Sequence, residues 1–327
     1  MATATKGGGR EPAAPAATAE AGPRRNARRR RGSGAPYVLL APAVLLLLAF
    51  LLLPVGYAGW LSLRANRVTG GGLLGRREEG FVGFENYASA LTNRDLWDAM
   101  RRMAAYGLVV VPIMFSLALV FALLLDVPRV RLRSTARVII FLPYAVPGVI
   151  ASLLWGFIYM PKVSPIDRVF EWLGTTPPDF LGSGSVLFSV ANVAIWGGTG
   201  FNMLILYTAL RSIPLELYDA ARIDGCGELR IAWHVKIPML VPALGLTMIF
   251  ALIAMIQVYN EPQALSSLTT AISSTWVPMM KIYVDAFVLN NVYAAAATSI
   301  MLALLTLAVS LGVLSLVNRK ANGGGTR

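Results

Sequence analysis

The sequence has few charged residues for its length. Only 14% of its 327 residues are Asp, Glu, Lys or Arg, whereas a soluble globular chain carries about 25%. The scarcity of charge, together with a hydrophobic content of 56%, indicates an integral membrane protein. A bundle of membrane spans does not divide into soluble domains by length, so one integral domain over residues 35–318 is predicted.

Cysteine and histidine are almost absent, with one residue of each, Cys226 and His234. A single cysteine forms no internal disulfide, and neither residue has the neighbours that a zinc site requires. The sequence also lacks the G-x-x-x-x-G-K-[ST] loop that cradles nucleotide phosphates. No catalytic residue, metal site or bound cofactor is predicted, and the carboxylates Asp167, Glu171 and Asp179 lack the arrangement of a glycosidase pair.

The sequence contains several long apolar runs. Six runs reach the roughly 20 residues that a helix needs to cross the hydrocarbon core, and none has Asp, Glu, Lys, Arg or His in its interior. The predicted fold class is all-α, a polytopic membrane protein with six transmembrane helices. Pro143 and Pro147 are expected to bend the third helix. The predicted spans are Tyr37–Leu61, Met103–Leu125, Val138–Met160, Val186–Leu210, Met239–Tyr259 and Ala294–Val317.

Half of the net charge of +12 lies in residues 1–34, where Arg is repeated between Arg24 and Arg31. The composition of this segment predicts a disordered tail. A basic run can bind nucleic acid or anionic lipid, but beside a span it typically fixes topology at the cytoplasmic face. Lys and Arg are also more numerous in the loops that this orientation places inside. Both termini, including a short tail over residues 319–327, are predicted to be cytoplasmic, with membrane lipid and no nucleic acid as partner.

Two predicted outer segments have helical patterns of their own. Phe81–Arg102 is amphipathic, with apolar residues at near-helical spacing. Trp276–Leu289 has the pattern of a short helix at the membrane interface. Both are predicted to be structured connectors.

The stretch ELYDAARIDGCGELRIAWHVKIP, Glu216 to Pro238, is the most polar run in the second half of the chain. Ser212 and Pro214 predict a helix start. A helix is expected over Leu215–Asp224, ended by Gly225 in the left-handed conformation. A second short helix is predicted over Glu228–Lys236. The polar loop, residues 211–238, is therefore expected to be a helix, a glycine turn and a helix.

The first loop helix combines small and charged residues. Ala220 and Ala221 allow another backbone to approach closely, and the carboxylates of Glu216, Asp219 and Asp224 surround them as at the rim of an interface. This pattern indicates either a docking surface for another protein or an ordinary charged loop.

The polar loop resembles the EAA loop of the permease subunits of binding-protein-dependent ABC importers. That pattern is Glu-Ala-Ala, three residues, Gly, nine residues and Ile-x-Leu-Pro. Here Asp219-Ala220-Ala221 is followed by Gly225 and then by Val235-Lys236-Ile237-Pro238 at the same spacing. Segments such as FVGFENYASAL and FLPYAVPGVIASLLWGFIYM also look like carbohydrate-type permeases, the group of the maltose and glycerol-phosphate systems. One departure is Asn260–Ser274, which lacks the Gly-rich turn common in that group.

The resemblance implies the transmembrane subunit of an ATP-driven importer in a bacterial plasma membrane, forming the pathway for a sugar or related polar solute. It implies three kinds of partner: a second homologous permease, two ATP-binding cassette ATPase subunits and an extracytoplasmic substrate-binding protein. ATP would be used by the partner, so this chain is expected to be a transport subunit and not an enzyme. The implied ATPase-docking residues are Glu216, Asp219, Ala220, Ala221, Asp224, Gly225 and Pro238.

Polar and aromatic residues inside the predicted spans form a candidate solute pathway. Asn192 and Asn202 lie close to one face of the fourth span, and Trp196 follows Asn192 by four residues. Tyr144 lies in the bent third span and Gln257 near the end of the fifth. Such groups usually face a bundle interior or a cavity. They are expected either to contact solute or to bond between helices.

Three other functions are weighed against a sugar permease. A glycerol phosphate would favour an arginine within a span, which is not seen, although positive helix ends also serve. A secondary transporter that needs no ATPase usually places an ionisable residue in the membrane interior. A membrane-embedded enzyme would need a clustered catalytic set. Neither of the last two explains the polar loop.

Overall fold

The computed structural model describes residues 35–69, 76–128, 130–161 and 163–323. The predicted basic tail at residues 1–34 lies outside this range, as does the end of the second tail. The chain divides into two compact units, Met1–Leu52 and Leu53–Arg327. The described part of the first unit consists of helix α1 (Ala35–Leu47) and a π-helical stretch over Leu48–Leu52.

The second unit is almost entirely helical. Its first half contains α2 (Leu53–Ser62), β1 (Arg64–Thr69), β2 (Arg76–Phe81), α3 (Glu85–Thr92), α4 (Arg94–Asp126), α5 (Arg133–Phe141), a 3-10 turn (Leu142–Ala145), α6 (Gly148–Tyr159) and α7 (Pro165–Trp172). Its second half contains α8 (Val186–Arg211), α9 (Leu215–Ile223), α10 (Glu228–Ile231), a π-helical stretch (Ala232–Lys236), α11 (Ile237–Met239), α12 (Val241–Ile256), α13 (Asn260–Leu265), α14 (Pro278–Tyr283), a second π-helical stretch (Val284–Val288) and α15 (Val292–Gly323).

The prediction of an all-α, polytopic membrane protein is confirmed. Within the described residues, five helical stretches are long and apolar enough to cross a membrane. A sixth span is counted if the bent pair Arg133–Ala145 and Gly148–Tyr159 is taken as one. The five stretches are Tyr37–Ser62, Arg94–Asp126, Val186–Arg211, Val241–Leu265 and Val292–Val317.

The third predicted span is broken rather than gently bent. Its two helical halves meet at an angle of 96°. Proline disfavours helical geometry in the residue before it, and Val146, which precedes Pro147, is accordingly extended with ψ of 125°. Helix α6 then starts afresh at Gly148. Because of this break, Gly148 at the amino end of α6 is half-buried within the second unit.

Helices α4 and α8 form the centre of the second unit. They pack along each other, and α12 packs against α4 and α15. Helix α8 also approaches the end of α5 closely, because a Cβ added to Gly200 would lie 2.7 Å from Cα of Phe141 and would overlap the carbonyl oxygen of Ile140. Only glycine permits this approach of two backbones.

The segment before α4 differs from the amphipathic helix predicted over Phe81–Arg102. Phe81 ends the antiparallel hairpin β1–β2, in which Arg64 pairs with Phe81 and Arg67 with Glu78. The second strand, RREEGF, carries four charged residues in succession rather than alternating them with apolar ones, which hides it from pattern analysis. Asn93 separates α3 from α4, where its Oδ1 accepts a hydrogen bond from the Leu96 amide at 3.1 Å.

Candidate functional site

A cavity of about 370 Å³ lies among the central helices of the second unit. Small-molecule sites commonly have volumes of roughly 300–1,000 Å³, so its size suits a small solute. The break in the third span forms part of its wall. The elements that line it are α4, the 3-10 turn, α6, α8, α12 and α13.

Aromatic rings cover much of the cavity wall. Tyr144 stacks on Phe201, with ring centroids 4.7 Å apart and an angle of 15° between the planes. Tyr106 and Phe250 line other parts of the wall. Aromatic faces offer flat apolar surface, and a tyrosine hydroxyl adds a hydrogen-bonding group.

Two polar side chains interrupt this wall. Asn202 is buried, and its amide nitrogen donates to the carbonyl oxygen of Gly198 at 2.9 Å. Glu261 approaches the amino end of α6, where a Cβ on Gly148 would lie 3.8 Å from its Oε1. Among the described residues that line the cavity there is no Lys, Arg or His. The wall therefore combines hydrogen-bonding groups and aromatic faces with no basic side chain.

The structure brings only part of the predicted solute pathway together. Tyr144 and Asn202 line the cavity. Asn192 instead donates to the Tyr159 hydroxyl at 2.8 Å, a bond between α8 and α6. Trp196 packs edge-on against Trp155, with centroids 5.9 Å apart. Gln257 is exposed at the end of α12.

Glu261 is a cavity residue that the sequence analysis missed. The fifth span was predicted to end at Tyr259, which places Glu261 in a loop. In the structure the short helix α13 begins at Asn260, and the carboxyl group of Glu261 reaches the cavity. A helix start could have been inferred from Asn-Glu-Pro at residues 260–262, because acidic residues and proline favour the first turn.

The polar loop has the predicted form of a helix, a glycine turn and a second helical segment. Gly225 has φ of +78°, the left-handed conformation that ends α9. Arg222 donates to Asp219 and to Glu228, both at 3.1 Å, and so joins the two sides of the turn. The prediction of Ser212 as helix cap is wrong, because its hydroxyl donates back to Ala209 at 2.7 Å and Pro214 directly precedes α9.

Most residues of the predicted docking surface are exposed. Only Ala221 is half-buried in this set, which otherwise comprises Glu216, Asp219, Ala220, Asp224, Gly225 and Pro238. Two apolar side chains beside the turn are also exposed, Ile223 at 87% and Leu229 at 79%. His234 and Cys226 show no special environment, with His234 exposed against the Arg230 carbonyl and Cys226 half-buried.

Residues 115–321 match the family described as the inner membrane component of binding-protein-dependent transport systems. The chain belongs to this family. It is therefore a multi-pass transport subunit of the inner membrane, and its family is one of transport components rather than of enzymes. The polar loop and most of the cavity wall fall within the matched residues.

Curated relatives cover most of this transport subunit. The sn-glycerol-3-phosphate transport system permease protein UgpA of Pectobacterium atrosepticum is 28% identical over 89% of this chain and 97% of its own length. The osmoprotective compounds uptake permease protein GgtC of Synechocystis is 33% identical over 68% of this chain and 77% of its own length. The trehalose/maltose transport system permease protein MalF of Thermococcus litoralis is 30% identical over 68% of this chain and 74% of its own length.

A solved structure shares the fold of the transport subunit. It is the crystal structure of a bacterial ABC transporter involved in the import of the acidic polysaccharide alginate. The likeness has a TM-score of 0.76 at 19% identity and covers 87% of this chain and 95% of that chain.

Proposed function

We propose that this chain forms the translocation pathway for a sugar or related uncharged polyol and is driven by a separate ATPase bound to the polar loop. The observation that carries the choice of solute is the cavity wall, where aromatic faces stand beside the polar groups of Asn202 and Glu261. Hydroxyl groups of a polyol can donate to a carboxylate and bond to an amide, while the stacked rings suit its apolar faces.

The relatives are named for both neutral and anionic solutes, so they leave the charge of the solute open. The solutes in their names are trehalose and maltose, osmoprotective compounds, and sn-glycerol 3-phosphate. An anion that enters the cavity would lose its hydration and find no cation among the described lining residues. Burying an unpaired charge is strongly unfavourable. This supports a neutral solute over a glycerol phosphate.

Docking of an ATPase is proposed from the exposed surface of the polar loop. Ile223 and Leu229 are large apolar residues that remain exposed beside a ring of charges. Apolar side chains with a polar rim are typical of protein interfaces. The proposed docking residues are those that the resemblance implies: Glu216, Asp219, Ala220, Ala221, Asp224, Gly225 and Pro238.

The remaining partners are proposed from the family and from the sequence. The family description names a binding protein, and the sequence contains no phosphate-binding G-x-x-x-x-G-K-[ST] loop. We therefore assign ATP to a partner subunit and no cofactor to this chain. The proposed assembly adds a second permease, two ATPase subunits and an extracytoplasmic substrate-binding protein.

Uptake measurements test the solute assignment. Cells that express the chain with its partners are given radiolabelled trehalose or sn-glycerol 3-phosphate as probes. Trehalose uptake is expected, and Glu261→Leu should reduce it about tenfold, because a solute hydroxyl that bonds to Glu261 would be left buried without a partner. Gln263→Leu is the matched control, because Gln263 lies exposed on the same helix. Uptake of glycerol 3-phosphate and not trehalose would favour the anionic alternative.

Co-purification tests the docking assignment. Ile223→Asp and Leu229→Asp introduce charge into the exposed apolar pair, and an ATPase that co-purifies with the unaltered chain is expected to be lost. Trp172→Asp is the matched control, because Trp172 is 85% exposed and lies on α7, away from the polar loop. Retention of the ATPase by both loop variants would contradict docking at this surface.

A further inference from the structure

The polar loop is joined to α4 by a buried ion pair. Nζ of Lys236 lies 2.7 Å from Oδ2 of Asp126, and both side chains are only 4% exposed. Asp126 is the last residue of α4, and Lys236 ends the π-helical stretch that follows α10. From Lys236 the chain continues through Pro238 into α12. The pair thus lies at the junction of two candidate spans and the loop.

A third element, the helix α9, also contacts this pair. The Lys236 ammonium lies 5.1 Å from the ring centroid of Tyr218, within the range of a cation–π contact. Tyr218 is buried in α9, and its hydroxyl donates to the carbonyl oxygen of Leu210 at 3.4 Å. Burial raises the pKa of the Tyr218 phenol to about 12, and the negative charge of Asp126 acts in the same direction. Tyr218 therefore stays neutral beside the pair at physiological pH.

Much of the surroundings of the pair is apolar, with Arg133 nearby on the carbonyl oxygen of Val127 at 2.8 Å. Leu125, Leu210, Ile231 and Leu240 belong with Tyr218 to one buried hydrophobic cluster. Placing two charges in such a cluster carries a desolvation penalty that well-packed apolar residues would avoid. A gain in stability alone therefore gives no reason for the pair. What a buried pair adds is resistance to separation, because moving one charge away leaves the other buried and uncompensated.

We propose that the Lys236–Asp126 pair, seated on Tyr218, is the link through which a displacement of the polar loop moves α4 and α12 together. This inference rests on the proposed docking of an ATPase at the loop. Lys236 and Asp126 are positioning residues, since neither lines the cavity. Without the pair, the loop keeps its covalent connections to α8 and α12, but its ionic link to α4 is lost.

The test compares solute uptake with ATP hydrolysis in the assembled transporter. The double variant Asp126→Leu with Lys236→Met replaces both charges by apolar side chains, which preserves packing and leaves no unpaired charge. The ATPase is expected to co-purify as before, while trehalose uptake per ATP hydrolysed falls by about tenfold, a typical size for energetic coupling between sites. The exchanged variant, Asp126→Lys with Lys236→Asp, is expected to recover part of the loss.

A matched control separates coupling from stability. Lys281→Met with Asp285→Leu makes the same chemical change in a buried pair away from the polar loop, and its uptake per ATP is expected to match the unaltered transporter. An unchanged ratio in the Asp126→Leu, Lys236→Met variant, or an equal loss in the control, overturns the proposal. Failure of any ATPase to co-purify with the unaltered chain overturns the docking assignment and this inference with it.

Discussion

Two Lys–Asp pairs are buried in the described part of the second unit, and they differ in what holds them together. Lys281 and Asp285 lie one turn apart on the same helical segment, with Nζ and Oδ2 separated by 2.8 Å. Lys236 and Asp126 come from distant parts of the chain and meet at 2.7 Å. The first pair forms whenever its helix forms, whereas the second forms only when α4 and the polar loop are in place.

The difference shows which contacts can transmit a displacement from one helix to another element. A pair within one helix stabilises that helix and reports nothing about its neighbours. A pair between elements fixes the position of one element relative to the other, so a displacement of one element is passed to its partner. The Lys236–Asp126 pair is of this second kind, and it lies where an ATPase-driven displacement would enter the spans.

The largest loss of stability is expected when one partner of the Lys236–Asp126 pair is removed. Asp126→Ala leaves the Lys236 ammonium buried without its counter-ion, which typically costs roughly 3–5 kcal/mol of folding free energy. Asp285→Ala should cost less, because the side chains of its pair are more than twice as exposed, at 9% and 10% against 4%. Thermal unfolding in detergent compares the two variants. Equal shifts would contradict the distinction between the pairs.

A smaller effect is expected at a tertiary contact without charge. Gly200→Ala places a methyl group against the backbone of Ile140 and Phe141, which cannot rotate away. The expected destabilisation is about 1–3 kcal/mol, as for other overpacked sites. Gly197→Ala is the matched control on the same helix, because no atom lies within 4 Å of its added Cβ. A similar melting temperature for both variants would contradict the close approach of α8 and α5.

The smallest effect is expected at a local contact. Asn93→Ala removes the side-chain acceptor for the Leu96 amide at the start of α4, and loss of such a cap typically costs about 1 kcal/mol. Asn93→Asp keeps an acceptor oxygen and should restore most of the stability. Hydrogen exchange of the Leu96 amide reads out this end directly. Unchanged exchange in Asn93→Ala would show that the cap contributes little.

The parts that the sequence predicts are those governed by local pattern. Apolar runs predict the spans, and Gly225 predicts the turn of the polar loop because few other residues adopt its φ of +78°. Pro147 predicts a bend in the third span. The size of that bend, 96°, is set by how α6 packs on α13 and α8, which no local rule describes.

The parts that the sequence does not predict depend on contacts between distant residues. Asp126 and Lys236 each lie at the border of a predicted span, where an isolated charge is unremarkable. Glu261 was missed because the predicted fifth span ended before it. The residue type of Ser212 predicts a helix cap, but in the structure its hydroxyl donates to the carbonyl oxygen of Ala209.

The most direct test of the coupling account is a distance measured between the polar loop and α4, the two elements that the Lys236–Asp126 pair joins. One spin label is attached to Cys226, the single cysteine, in the polar loop, and one to Leu108→Cys on an exposed position of α4. Leu108 lies about 27 Å along α4 from Asp126, at 1.5 Å per residue, so its label is far from the end of α4 that meets the polar loop. Pulsed electron paramagnetic resonance measures the distance between the two labels.

The labelled transporter, shown to retain ATP hydrolysis, is measured with and without ATP. The account predicts one narrow distance in both states, because the loop and α4 move as one body. In the Asp126→Leu, Lys236→Met variant it predicts a distance that shifts or broadens on ATP addition. An ATP-dependent change of the same size with the native pair intact would contradict the account.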